Sequence, residues 1–253
     1  VWQDSPSLRQ KISLESKCGI RLSGDPAPSS PLRYDFSYEH ILRSVEGSLK
    51  RLQTDYLDVL LLHRPDPLVE PEEVARAFDE LEKSGKVRYF GVSNHTAAEI
   101  ALLQKYLRQK IVINQVEFNL IHLHLIDAGV IFNQDNPRLT RNEGTLEYCR
   151  EHEITLQAWS PLAVGRLTGR ASKKELQFVT QTAAQVSQLA SEKGVPGEAI
   201  LIAWILRHPA RIQPIIGTTS PERIRSACHG DRLDLTREEW YALFASARGE
   251  ELP

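Results

Sequence analysis

Two hydrophobic periods alternate along this chain. Short unbroken apolar runs have the character of strands buried on both faces, and longer stretches with apolar residues every three or four positions have that of amphipathic helices. The sharpest run is residues 57–67, LDVLLLHRPDP, in which Val59, Leu60, Leu61 and Leu62 give way abruptly to His63 and a charged, proline-rich turn. Pro65 and Pro67 lack an amide donor and cannot continue a central strand. Five further strands are predicted at 12–16, 86–92, 111–116, 154–159 and 212–216. Between them lie helical patterns. One runs through Tyr38, Ile41, Leu42, Val45, Leu49 and Leu52 with Ser37 as its cap, and one opens on Pro71 and stops at Ser84-Gly85. A third starts at the Thr96/Glu99 capping box and runs through Ile100, Leu103 and Leu107. Others are predicted at 144–152, 178–193 and 197–207, from Pro221, and from the Thr236/Glu239 pair through Trp240, Leu243 and Phe244. Residues 21–33, 118–142 and 165–174 read as loops.

The order is strand, loop, helix, repeated, with no two strands joined by a hairpin. Right-handed crossovers of this length build a parallel sheet. No linker or composition shift divides the chain, so residues 1–253 are expected to form one α/β domain, a (β/α)8 TIM barrel rather than an open sheet. A closed barrel of this class needs eight strands and six are legible, so the first two strand-helix units are expected to be absent from the sequence. The lack of any methionine, including at position 1, points the same way.

Charge narrows the function. A net charge of -2 gives nucleic acid and anionic membranes no electrostatic handle. The three cysteines, Cys18, Cys149 and Cys228, are odd in number and in no metal or redox spacing, which fits a reducing compartment. No apolar run approaches membrane-spanning length and no signal peptide is visible, so a cytoplasmic location is expected. Nothing in the pattern points to an oligomer; a monomer acting on a small molecule is expected.

The strand ends carry the candidate chemistry: Lys17, His63-Arg64, Ser93-Asn94, Gln115, Trp159-Ser160 and Gly217-Thr218-Thr219. Parallel α/β folds build their sites at the carboxyl ends of strands. Lys17 could lower the pKa of a neighbouring acid or hold an anion, and His63 could donate a hydrogen bond to a carbonyl oxygen as charge develops on it. Asn94 and Gln115 each offer a donor and an acceptor, as a primary amide partner requires. Trp159 offers a flat face to a heteroaromatic ring. GTTSPER, residues 217–223, sets small residues, hydroxyls and a helix N-terminus beside Arg223, which suits a phosphate. The strand-GxGxxG-helix fingerprint is missing, so a nucleotide would not be held in the Rossmann manner.

In the segments SLESKCGI, LQTDYLDVLLLHRPDP, GKVRYFGVSN, INQVEFN, QAWSPLAVGRLTG and PIIGTTSPERI, the sequence resembles the aldo-keto reductase superfamily, and within it the bacterial oxidoreductases of the YdhF type. The resemblance implies a (β/α)8 barrel that binds extended NADP(H) and reduces aldehydes or ketones, or oxidises alcohols, by direct hydride transfer. It implies that Lys17 is the catalytic lysine and His63 the substrate-orienting histidine. Ser93, Asn94 and Gln115 would hold the nicotinamide carboxamide, and Trp159 stands where a ring-stacking tyrosine is usual. Ser160, Pro161, Leu162, Gly165 and Leu167 would line the pyrophosphate loop, and Gly217, Thr219 and Arg223 would embrace the adenosine 2′-phosphate.

The departures are specific. The family's catalytic set also needs an aspartate and a tyrosine in a motif resembling DTAxxYG, which this sequence does not contain; Tyr34, Tyr38 and Tyr56 stand in the wrong segments. Gly217 replaces a lysine common at the 2′-phosphate, and Ala227 replaces an adenine-contacting asparagine. Two other classes stay open at this level. One is a catalytically dead NADP(H)-binding barrel serving as sensor or accessory subunit. The other is a metal-dependent hydrolase using His122, His124 and Asp127, although these lie in a loop away from the strand ends.

Overall fold

A computed structural model describes residues 5–130, 144–170 and 174–253. The chain divides between Asn114 and Gln115 into two compact units. In the first, β1 (Glu15–Cys18) pairs in parallel with β4 (Leu57–Leu62), and β4 in parallel with β5 (Val87–Ser93). The first half of β6 (Ile111–Glu117) lies beside β5. Helices α1 (Tyr38–Leu52), α2 (Pro71–Lys83) and α3 (Ala97–Tyr106) connect these strands. In the second unit the rest of β6 neighbours β7 (Thr155–Trp159), which pairs in parallel with β8 (Gln213–Ile215). Its helices are α4 (His124–Val130), α5 (Thr145–Glu151), α6 (Gln177–Lys193), α7 (Gly197–Leu206), α8 (Pro221–Cys228) and α9 (Arg237–Arg248). All six strands expected from the apolar runs are present.

Register decides which side chains share a face. Lys17, Leu61 and Gly91 are successive partners across β1, β4 and β5. Val59 and Leu61 pack with Ile113 on that face, while Phe90, on the other, stacks on Phe78 of α2 with ring centroids 4.0 Å apart. Both faces of the apolar runs are therefore buried, as their unbroken hydrophobicity requires. Gly91 makes the first face possible. A Cβ there would sit 2.6 Å from Leu61 Cδ2 and 2.7 Å from the Ile113 carbonyl oxygen.

Four expectations need correction. Residues 21–33 are not all loop, and the chain does hold antiparallel strands: β2 (Ile20–Arg21) pairs with β3 (Arg33–Tyr34). Gly19, at φ +100°, turns the chain out of β1 into this ladder, and any side chain at that position would strike the Phe36 ring. Lys17 is not past the strand end but inside β1. Ser37 makes no side-chain cap to α1; the Tyr38 amide instead donates to Glu73 Oε2 of α2 at 3.0 Å. Lastly, the segment read as loop from residue 118 contains α4, and the rest of that segment from 131 to 142 lies outside the described residues.

Candidate active site

The first unit gathers four of the expected residues. His63 and Ser93 lie two positions beyond Leu61 and Gly91, so they continue the face on which Lys17 stands. Hydrogen bonds tie the strand ends sideways. The His63 amide donates to the Cys18 carbonyl at 2.9 Å. Asn94, in the left-handed region at φ 62°, donates through Nδ2 to the His63 carbonyl at 3.2 Å and to Ser93 Oγ at 2.9 Å. His95 Nδ1 donates to the Ser93 carbonyl at 2.9 Å, and Asn114 Nδ2 to the His95 carbonyl at 2.9 Å. Asp66 holds the turn after His63 by accepting from the Phe36 and Leu68 amides at 3.1 and 2.9 Å. His95, Asn114 and Asp66 were not singled out in the sequence.

Electrostatics sets the protonation of this cluster. Burial lowers the His63 pKa, and the charges of Lys17 and Arg64 lower it further, so the imidazole is neutral at pH 7. Lys17 is half-buried; burial pulls its pKa down while Glu15 pulls it up. Cys18 is no nucleophile, since complete burial pushes its thiol up to about 12. The arrangement can present a neutral imidazole N–H and an ammonium to a polar group at the strand tips.

In the second unit, Gln115 donates from Nε2 to Gln157 Oε1 at 2.7 Å, and Gln157 donates from Nε2 to Gln213 Oε1 at 3.1 Å. Trp159 lies two residues beyond Gln157 and shares its face of β7. After it the backbone is held in unusual conformations, with positive φ at Ser160, Ala163, Val164 and Gly165. Asn119 Nδ2 anchors this turn by donating to the Ser160 carbonyl at 3.1 Å. Pro161, Leu162 and Leu167 are buried, so the loop offers its backbone rather than these side chains. Arg166 grips Glu175 with both guanidinium arms, Nε to Oε1 at 2.9 Å and Nη2 to Oε2. Gly217 and Thr219 are exposed and Arg223 is partly so. Ser220 caps α8 by accepting from the Arg223 amide. Ala227 is buried.

The hydrolase triad does not assemble. Asp127 is paired with Arg248 at 2.8 Å, and His122 lies 3.7 Å from Glu117. Among the described residues no group of three or more His, Cys, Asp and Glu side chains is placed to hold a metal. Nor is any helix among them long and apolar enough to cross a membrane.

Parallel strands alternating with helices, with polar side chains collected at the strand tips, define the class as a (β/α)8-barrel protein. This chain belongs to the aldo/keto reductase family, whose model matches residues 2–245. It is 38% identical over 249 residues to the 6-dehydroglucose reductase of Agrobacterium fabrum and 36% identical over 249 residues to the oxidoreductase YdhF of Escherichia coli. Both alignments cover 98% of this chain and 76% of the relative. The solved structure of the thermostable aldo-keto reductase Tm1743 in complex with the inhibitor epalrestat matches with a TM-score of 0.66 at 28% identity. That match covers 83% of this chain and 67% of the other. The chain is thus an oxidoreductase of the barrel-forming aldo-keto reductases.

Proposed function

We propose that this protein reduces aldehydes or ketones to alcohols with NADPH as the hydride source. One observation carries the reading: Lys17 and His63 stand on the same face of adjacent parallel strands, where burial and then the Lys17 and Arg64 charges lower the His63 pKa. Neutral imidazole keeps one N–H, which can donate a hydrogen bond to a carbonyl oxygen and so stabilise charge developing there. Burial, reinforced by Lys17, keeps His63 in that state, and Lys17 would lower the pKa of a phenolic proton donor beside it. Tyr56 is not that donor, because its ring lies between the guanidinium groups of Arg9 and Arg88 at 3.8 and 3.9 Å. Tyr38 lies under Arg76 at 4.6 Å, and Tyr34 belongs to the β2–β3 ladder.

The residues present fit a nicotinamide dinucleotide. The second unit has a buried primary amide, Gln115, hydrogen-bonded to Gln157 of β7, and on that strand a partly exposed indole, Trp159, followed by a loop with left-handed backbone. Bound there, the cofactor would supply a hydride to the carbonyl carbon. In this reading Ser93, Asn94 and Gln115 hold the carboxamide, Trp159 stacks on the ring, residues 160–167 follow the pyrophosphate, and Arg223 favours a 2′-phosphate. Gly217 contributes no charge, so Arg223 carries the preference for NADPH over NADH.

Two measurements test this: NADPH fluorescence on binding, and NADPH oxidation with a panel of aldehydes and ketones. Lys17→Ala should cost about 10²–10⁴ in turnover while changing NADPH affinity little. Equal losses in both would remove Lys17 from the chemistry. Tight NADPH binding with no oxidation by any substrate would favour the non-catalytic barrel instead.

A further inference from the structure

We infer that Gln157 is a positioning residue for the cofactor's carboxamide, acting through Gln115; this rests on the functional reading above. The resemblance gives Gln157 no role, yet it is a buried polar side chain in the middle of β7, flanked by buried Leu156 and Ala158. Its two ends are both used, Oε1 accepting from Gln115 and Nε2 donating to Gln213. A primary amide has its donor and acceptor on opposite arms of one plane. Holding Gln115 by Nε2 therefore fixes that plane and directs the carbonyl oxygen along the other arm. An acceptor of fixed direction is what a carboxamide NH₂ needs in order to be held in one of its two orientations.

The chain of amides resists flipping. If Gln157 alone turned over, its NH₂ would face the NH₂ of Gln115 and its carbonyl would face that of Gln213. Each amide thus fixes the next, and the three act as one polarised unit. The strand that orients Gln115 also carries Trp159 on the same face, two residues on, in register with Ile215 as Gln157 is with Gln213. Amide and ring positions are accordingly set by the same backbone. Were Gln157 only filling a hydrogen-bond requirement in the core, its loss would lower stability and leave cofactor recognition alone.

The test compares Gln157→Leu, which removes the acceptor, with Gln157→Glu, whose buried and protonated acid can still accept from Gln115 and donate to Gln213. Gln157→Leu should weaken NADPH binding about tenfold, equivalent to about 1.4 kcal/mol, and make transfer from the disfavoured face detectable with 4-deuterated NADPH. Gln157→Glu should stay within about threefold of wild type. Unchanged affinity and facial selectivity in Gln157→Leu would overturn the inference, as would equal loss in both variants. If Gln157→Leu does not fold, Gln213→Leu at the exposed end takes its place. With the far anchor gone, NADPH affinity should fall at least threefold, and no change there is equally fatal. Wild-type protein that binds no NADPH refutes the functional reading itself. The side-chain amide resonance of Gln115 in cofactor-free protein reports the chain separately: its protection from exchange should be lost in Gln157→Leu, and protection retained counts against Gln157 as its anchor.

Discussion

His63 shows how position sets the chemistry of one side chain. An exposed histidine titrates near about 6.5, but here burial, Lys17 and Arg64 all oppose protonation. The imidazole is therefore neutral through the physiological range, which in the proposed reaction suits a hydrogen-bond donor better than a proton reservoir. Removing the Lys17 charge removes one of those pressures, so Lys17→Met should raise the His63 pKa toward the ordinary value. An NMR titration of the imidazole in both proteins measures this directly. A midpoint unmoved by the substitution would mean that the two side chains do not sense each other. The same physics denies this enzyme a His63-controlled activity limb near pH 6.5. His63 stood out in the sequence as a titratable residue at the end of an apolar run, whereas Lys17, inside a short polar strand, was marked chiefly by the resemblance. Gln157 and Asn114 were not legible there, because their partners are remote in sequence: Gln157 meets Gln115 and Gln213, and Asn114 meets the His95 carbonyl just beyond β5.

At the scale of elements, local signals were reliable where the partner was local. The Thr96/Glu99 and Thr236/Glu239 capping boxes both form as their spacing predicts, and Pro71 and Pro221 both open helices. Ser37 failed because a remote carboxylate, Glu73, reached the first turn of α1 instead. Ser37→Ala should therefore shift stability by less than about 0.5 kcal/mol. Glu73→Ala should cost about 1 kcal/mol, like the loss of an ordinary cap. Urea denaturation of the two variants ranks them, and the reverse order would restore the serine as the cap. Gly91 is a second case where the partner strand decides. Gly91→Ala places a methyl against the Ile113 backbone, which cannot rotate away as the Leu61 side chain can. A loss of about 1–3 kcal/mol is expected from such overpacking, with the same assay as readout. The β2–β3 ladder escaped detection because two residues per strand carry no period.

For the molecule as a whole, the repeating strand-helix order was enough to give the fold class, since crossovers between parallel strands leave few arrangements. What it could not give is how folding loads the titratable groups. Burial is the largest cause lowering the pKa of His40, His63, His95 and His208, and these fall in both units. Each is therefore disfavoured as a cation in the folded state, while the unfolded chain protonates it near about 6.5. The unfolded state then binds more protons as pH falls below that value. Stability from these histidines is complete above about pH 6.5 and declines as the pH drops toward each folded-state pKa, by up to about 1.4 kcal/mol per pH unit per group. A second phase follows at lower pH. Burial opposes the charge on Asp58, but the Leu14 amide, Arg9 and Arg88 outweigh it and hold its carboxyl below the usual carboxylate range. That contribution is lost only as pH falls through the depressed value. The melting temperature should thus fall between pH 7.5 and 5.5, before the carboxylates titrate. His95 is the sharpest probe, being buried against Phe36 with ring centroids 6.2 Å apart. His95→Asn retains a donor for the Ser93 carbonyl and cannot be protonated, so it should flatten the decline over that range. A slope identical to wild type would place the acid sensitivity elsewhere.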